Sequence, residues 1–230
     1  LTTRSIYAMM QKTDLMVNYF GGSSMKREEK NQQTRRRIMD SALAEFAANG
    51  YGGSSVNTIC AAQGISKGIV YHYFESKDEL YLACVEECFQ CLTAHLSAAL
   101  PEEDAGAVED QLGRYFSARM AFFQEHPIYQ SIFCEAVISP PAPLAEGVRA
   151  RRKEFDALTV STLERLLRRL PLRADITVED VVDLFRQFQD FINAQNRSPS
   201  IPPEERFVHR DAQCRKLLTV LLYGVTERGK

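Results

Sequence analysis

Residues Ser54–Leu80 read SSVNTICAAQGISKGIVYHYFESKDEL, and the order of capping, small and apolar residues in this stretch decides the fold. Ser54 or Ser55 is a helix cap, because a short hydroxyl side chain accepts from the orphan N–H groups of a first turn. Ile59 with Cys60, Ala61 and Ala62 gives that helix an apolar side. Gly64 follows, where a residue just past a helix end often needs a left-handed backbone. Ser66 caps a second helix, on which Val70 and Phe74 stand four apart and share one inward face. Lys67, Gly68, Tyr71 and His72 are left on the outer face. Ser76-Lys77-Asp78-Glu79 has the Ser-x-x-Glu spacing of a capping box and starts a third helix at once.

Two short helices around a tight turn make a helix-turn-helix, and the outer face here suits a nucleic acid. A duplex requires cations and hydroxyls for its phosphates and a slim helix for its major groove. Gly68, near the start of the second helix, lets backbone approach the duplex, with Lys67 beside it. The spacing alone also fits an ordinary helical hairpin with a polar solvent face.

The residues say more than the spacing. Gly50-Tyr51, Ser54-Ser55-Val56, Ile59, Gly64-Ile65-Ser66-Lys67-Gly68, Tyr71-His72-Tyr73-Phe74 and Ser76-Lys77-Asp78-Glu79-Leu80 closely resemble the DNA-binding domain of TetR-family transcriptional regulators. The resemblance runs from Thr34 to Leu80, with Cys60 standing where the family usually has alanine. It implies an all-α chain with an N-terminal three-helix helix-turn-helix domain and a larger C-terminal helical bundle that dimerises. It also implies contacts to double-stranded DNA around Ser55, Asn57, Ser66, Lys67, Gly68, Ile69, Tyr71, His72, Tyr73 and Lys77. Among these, Asn57, Lys67 and Ile69 suit base edges: amide or ammonium to a purine, and an aliphatic contact to a thymine methyl. Tyr71, His72, Tyr73 and Lys77 suit phosphates, which fix register without reading sequence.

Outward from that stretch, Lys26–Asn49 reads as the first helix. Ile38, Ala42 and Phe46 recur every four residues, and Gly50 stops the run. Its start carries Lys26, Arg27, Lys30, Arg35, Arg36 and Arg37 against Glu28 and Glu29, either a solvated face or a lining for the phosphate backbone. The net charge of the whole chain is −2, so affinity for DNA has to come from such a local basic face. Residues 1–24 differ in character and end in Gly21-Gly22-Ser23-Ser24, a linker composition. Met25 reads as the natural start and the preceding segment as a flexible extension; an N-terminal arm on DNA is the alternative, with only Arg4 and Lys12 to support it. The domain reading is therefore 1–24 extension, 25–76 helix-turn-helix domain, and 77–230 effector-binding and dimerisation domain.

Downstream, Lys77–Leu100 is one long helix stopped by Pro101. Cys84, Cys88 and Cys91 share one face of it, with His95 a turn further. They read either as a redox or metal trigger or as small apolar core residues, since cysteine packs as a small hydrophobe. Cys88 and Cys91 stand at CxxC spacing, but no second such pair accompanies them to make the paired set of a structural zinc site, so no metal is expected. With no signal-peptide core, reduced thiols and a cytoplasmic location are expected.

Amphipathic segments follow at Val108–Glu125, from Pro127 onward, across Leu144–Leu170 as one helix, from Thr177, and in a last helix through Leu217–Val225. Within the fourth of these, Val178, Val181, Phe185, Phe188 and Ile192 form an inward stripe. The apolar run of the last helix is too short to span a bilayer, which takes about 20 residues. The last two helices are more apolar than one core requires, and the resemblance implies a homodimer through them. Two recognition helices about 34–36 Å apart would then read a palindromic operator.

The resemblance further implies a cavity for a small-molecule effector among the middle helices. Candidates to line it are Phe89, His95, Phe116, Met120, Phe123, His126, Tyr129, Phe133, Phe155 and Phe188, which favour a largely apolar ligand. Repression is the expected sense of regulation. An enzyme is the remote alternative: there is no Gly-rich phosphate loop, no nucleophile-elbow serine and no His-Glu zinc helix, and His72, His95, His126 and His209 are scattered. No cofactor is expected.

Overall fold

A computed structural model describes residues 22–100, 106–197, 202 and 205–226, with backbone alone for 22–26. The expectations for positions 1–21, Pro101, most of the 198–204 loop and Gly229 lie outside the described residues. Among the described residues ten α-helices run in order: α1 Gly22–Gly53, α2 Val56–Gln63, α3 Lys67–Tyr73, α4 Lys77–Ala99, α5 Val108–Glu125, α6 Pro127–Ile138, α7 Ala145–Arg151, α8 Lys153–Leu167, α9 Val178–Gln195 and α10 Arg206–Val225. A 3-10 turn, Ala142–Leu144, precedes α7. The described residues contain no strand; a single bridge pairs Leu172 with Thr226 and holds the end of α10.

The caps account for the boundaries. Ser55 Oγ accepts from the Thr58 N–H at 3.1 Å, and Ser66 Oγ from the Ile69 N–H at 3.4 Å. Gly64 takes the left-handed conformation (φ 61°, ψ 33°) that turns α2 into α3. Ser76 Oγ accepts from the Glu79 N–H at 3.1 Å, but the reciprocal bond reaches Glu75 N–H rather than the cap itself, so the expected box is displaced by one residue. Thr177 and Asp180 close a complete capping box on α9. α1 is helical to Asn49, breaks at Gly50 (φ 64°, ψ 172°) and adds one further turn to Gly53; at its other end Gly22–Ser24 are already helical.

The expected single helix over Leu144–Leu170 is two helices. It breaks at Arg152 (φ −95°, ψ 2°) and ends at Leu167. Neither glycine nor proline causes the break. α7 and α8 both pack on α4, and one straight rod would not follow its surface at both places.

α4 is the axis of the molecule, in contact with α1, α5, α6, α7 and α8. Its buried side carries Leu80, Tyr81, Cys84, Val85, Cys88, Phe89, Leu92 and Leu96. At the α1 end, Phe46 meets Tyr81 edge-on at 5.1 Å. Further along, Phe89, Phe133 and Phe155 pack together, and Phe123 joins Phe133 to Phe207 of α10. Aromatic pairs in this geometry add to their burial.

Candidate nucleic-acid interface and effector cleft

α3 is held from behind. Ile65, Val70 and Phe74 are buried beneath it, together with Ile38, Ala42 and Ile59. That anchoring turns Lys67, Gly68, Ile69, Tyr71 and His72 to solvent. Ile69 and Tyr71 are each 43% exposed, an unusual cost for large apolar side chains on a seven-residue helix. Lys67 Nζ sits 5.8 Å from the Tyr71 ring centroid. A Cβ built on Gly68 would meet nothing within 4 Å, so the fold itself does not call for glycine there. Asn57 is exposed on α2, and Ser55 and Ser66 are occupied as caps at the edge of the same surface.

Two of the expected contacts are engaged within the chain. Lys77 Nζ donates to the Ser54 carbonyl at 2.8 Å and lies 4.3 Å from the Tyr51 ring centroid. Tyr73 Oη donates to Asn31 Oδ1 at 3.1 Å. Three of the α1 arginines are likewise engaged within the chain. Arg35 lies over Phe74, Arg37 donates to the Gln63 carbonyl at the end of α2, and Arg36 forms a two-pronged pair with Glu87 of α4 at 2.8 and 3.1 Å. The Glu87 hydrogen bond, helped by Asp40, holds the Arg36 pKa above its ordinary value despite some burial.

Two carboxylates join this domain to the rest. Glu87 also accepts from Tyr129 Oη of α6 at 2.7 Å. Glu135 of α6 accepts from the Tyr51 N–H and from Tyr81 Oη, each at 2.9 Å. Burial first, then the charge of Glu135, push the Tyr81 phenol far above its ordinary pKa. Glu135 was not singled out from the sequence; its only advance signal is an acid in the otherwise apolar run Ile132–Ile138.

Beyond α6 lies a cleft of about 940 Å³, bounded by α6, α7, α8 and α9, with Arg119 of α5 and Arg210 of α10 at its walls. Ala136 and Val137, the neighbours of Glu135, line it. Of the ten residues expected around an effector, Phe155 lines this cleft and Phe116 a separate cavity of about 20 Å³, room for roughly one water. Phe89, Phe123 and Phe133 are packed core. His95, His126 and Tyr129 gather around Phe122 at ring distances of 5.3, 4.8 and 6.0 Å, with His126 exposed, and Met120 is half-buried. Phe188 is 36% exposed rather than inward. The buried arc of α9 is centred on Val182, Phe185 and Asn193, which leaves Phe188 with Leu184 and Phe191 on the outside.

Six arginines line the cleft against Asp156, Glu164 and Asp190, which does not match the largely apolar pocket expected from the aromatic residues. The sequence carried a signal for two of them. Arg119 falls in the stripe of Tyr115, Phe116 and Phe122, and Arg210 in that of Phe207 and Cys214, where a cation is out of place.

All six cysteines are free. Cys84, Cys88 and Cys134 sit in surroundings that disfavour the thiolate. Burial raises the Cys84 and Cys88 thiols far above their ordinary pKa, and Cys134 to about 11, away from the thiolate that oxidants and metals attack. Among the described residues no group of three His, Cys, Asp or Glu side chains could hold a metal ion, and no helix is long and apolar enough to cross a membrane.

Comparison with known proteins agrees with this geometry. Residues 38–84 match the family model described as bacterial regulatory proteins, tetR family. The HTH-type transcriptional repressor SCO4008 of Streptomyces coelicolor is 30% identical over 133 residues, which cover 57% of this chain and 64% of that protein. The HTH-type transcriptional regulator UidR of Escherichia coli is 41% identical over 54 residues, 24% of this chain and 28% of that one. The chain thus spans less than two thirds of the length of these curated relatives. The solved structure of the regulator FadR from Bacillus subtilis in complex with stearoyl-CoA superposes with a TM-score of 0.62, covering 83% of this chain and 99% of that chain at 16% identity. Residues 38–84 thus carry the helix-turn-helix domain of the tetR family of bacterial regulatory proteins, and the all-helical bundle behind it has the fold of solved TetR-type regulators.

Proposed function

We propose that this chain is a DNA-binding transcriptional repressor of the cytoplasm, working as a homodimer, that releases a palindromic operator when a small molecule occupies the α6–α9 cleft. The outer face of α3 carries the reading: Lys67, Gly68, Ile69, Tyr71 and His72 stand exposed on a helix whose other face is wholly anchored. Such a helix meets base edges with its first residues and phosphates with its flanks. A relative named as a repressor supports the sense of regulation.

Ligand response is supported by α6. One of its faces, Ala136 and Val137, lines the cleft, and the next residue back, Glu135, grips the end of α1. Motion of α6 therefore reaches the helix-turn-helix without an intermediary. A coupling of about 1–3 kcal/mol between ligand and operator suffices for useful derepression. A fold neighbour solved with stearoyl-CoA supports a small-molecule effector.

Dimerisation is supported by the apolar outer faces of the last two helices: Leu184, Phe188 and Phe191 on α9, and Val208, Val220 and Tyr223 on α10. Phe191 is 56% and Tyr223 68% exposed, and clustered apolar exposure of this kind marks an interaction surface.

The test is salt-dependent retention of a labelled duplex pool by wild type and by Lys67→Ala. If each protomer neutralises about three phosphates, the log–log slope is roughly −5. A flat salt response, identical in the two proteins, would remove DNA binding from the account.

A further inference from the structure

Two arginines are buried where the cleft meets the core, and they differ in one respect. Arg119 is paired: its Nε donates to Asp211 Oδ1 at 3.0 Å, and Nη2 donates to the same oxygen. Arg210 is 4% exposed, and no carboxylate among the described residues pairs with it. Its Nε donates to the neutral Asn193 Oδ1 at 2.7 Å, and its Nη1 is buried with no protein acceptor. Burial, reinforced by like-charge repulsion from Arg119 and Arg152, lowers the Arg210 pKa, whereas Tyr115 and Asp211 outweigh burial at Arg119. An unpaired guanidinium out of water is costly, and the cost persists until a counter-charge arrives.

The cleft leads to that charge. Arg210 lines it together with Asn193 and Arg152, the latter held by Asp156 at 2.9 Å. Val148, Phe155 and Val160 supply an apolar wall. We infer that the cleft binds an organic anion, whose carboxylate or phosphate pairs with Arg210 while its apolar skeleton lies on Val148, Phe155 and Val160. The planar fork of arginine matches both headgroups, and hydrogen bonds between ions are about twice as strong as neutral ones. As the class of the effector, this assignment rests on the regulatory role proposed for the chain; as a binding site it does not.

The experiment is calorimetric titration of the full chain, without DNA, at constant ionic strength. The probes are octanoate, octyl phosphate, 4-phenylbutyrate and the neutral octanol. At least one anion binds saturably, one per protomer and about tenfold or more tighter than octanol. Octanoate against octyl phosphate tells which headgroup the site prefers. In Arg210→Met that preference disappears, while the melting temperature of the unliganded variant equals or exceeds that of wild type, because an uncompensated charge has been removed. A structural role through Asn193 would instead lower it. Should Arg210→Met not fold, Arg152→Gln weakens the anions several-fold and leaves octanol unchanged. Octanol binding as tightly as every anion, or no saturable binding of any anion, overturns the assignment. Anion binding that leaves operator affinity unaltered keeps the site and removes its regulatory role; operator recognition without anion binding does the reverse.

Discussion

Glu135 accepts one hydrogen bond from the Tyr51 backbone and one from the Tyr81 hydroxyl, so a single carboxylate ties the end of α1 to α4 and α6. Glu135→Ala strands both donors, and urea denaturation is expected to show a loss of about 1–3 kcal/mol. Tyr51 carries a pH signature. Its hydrogen bond to Asp78, aided by burial, pushes its phenol up to about 12. Unfolded tyrosine titrates near about 10, so below that pH both states keep the proton. Between the two values the unfolded chain gives it up first, and stability falls as pH rises. Wild type therefore loses stability more steeply than Tyr51→Phe across that window, as thermal melts at stepped alkaline pH will show. The exposure of Lys67, Ile69, Tyr71 and His72 was legible at this scale, because they lie opposite an apolar pair at helical spacing. The partners of Lys77, Tyr73, Arg36 and Arg37 were not, since each is set by a residue distant in the chain that only folding brings near.

At the level of elements, closeness between helices sets the tolerances. Gly50 combines a left-handed backbone with a position where a Cβ would come 2.9 Å from Glu135 Oε1, so Gly50→Ala is expected to cost more than about 1 kcal/mol. Gly147 lets α7 lie on Leu82 of α4, where a Cβ would meet methyl carbons at 2.9 and 3.0 Å. Gly147→Ala is expected to cost about 1–3 kcal/mol by overpacking, measured in the same denaturation assay. Helix starts were readable wherever a Ser or Thr cap precedes an apolar stripe, at Ser55, Ser66, Ser76 and Thr177. The break at Arg152 carried no such mark, because contact with α4 rather than local propensity imposes it. The lining of the cleft differs from the aromatic one expected for a related reason: Phe89, Phe123 and Phe133 satisfy one another in the core, and the space left over is bounded by arginines.

For the whole molecule, the proposed dimer reading two half-sites rests on the apolar faces of α9 and α10 and on the exposed face of α3. Phe191→Glu combined with Val220→Glu places charge on that outer surface, and sedimentation should then find a monomer whose affinity for a palindromic duplex is greatly weakened. The most direct measurement of the central claim is selection of bound duplexes from a random pool by the wild-type protein, beside Lys67→Ala and Tyr71→Ala. A dimer reading DNA through α3 enriches a palindrome with half-site centres about 10 base pairs or a multiple apart, and the variants bind it about 1–3 kcal/mol more weakly without loss of fold. Sequence-blind retention, equal in all three proteins, would contradict it and reduce α2 and α3 to a structural hairpin.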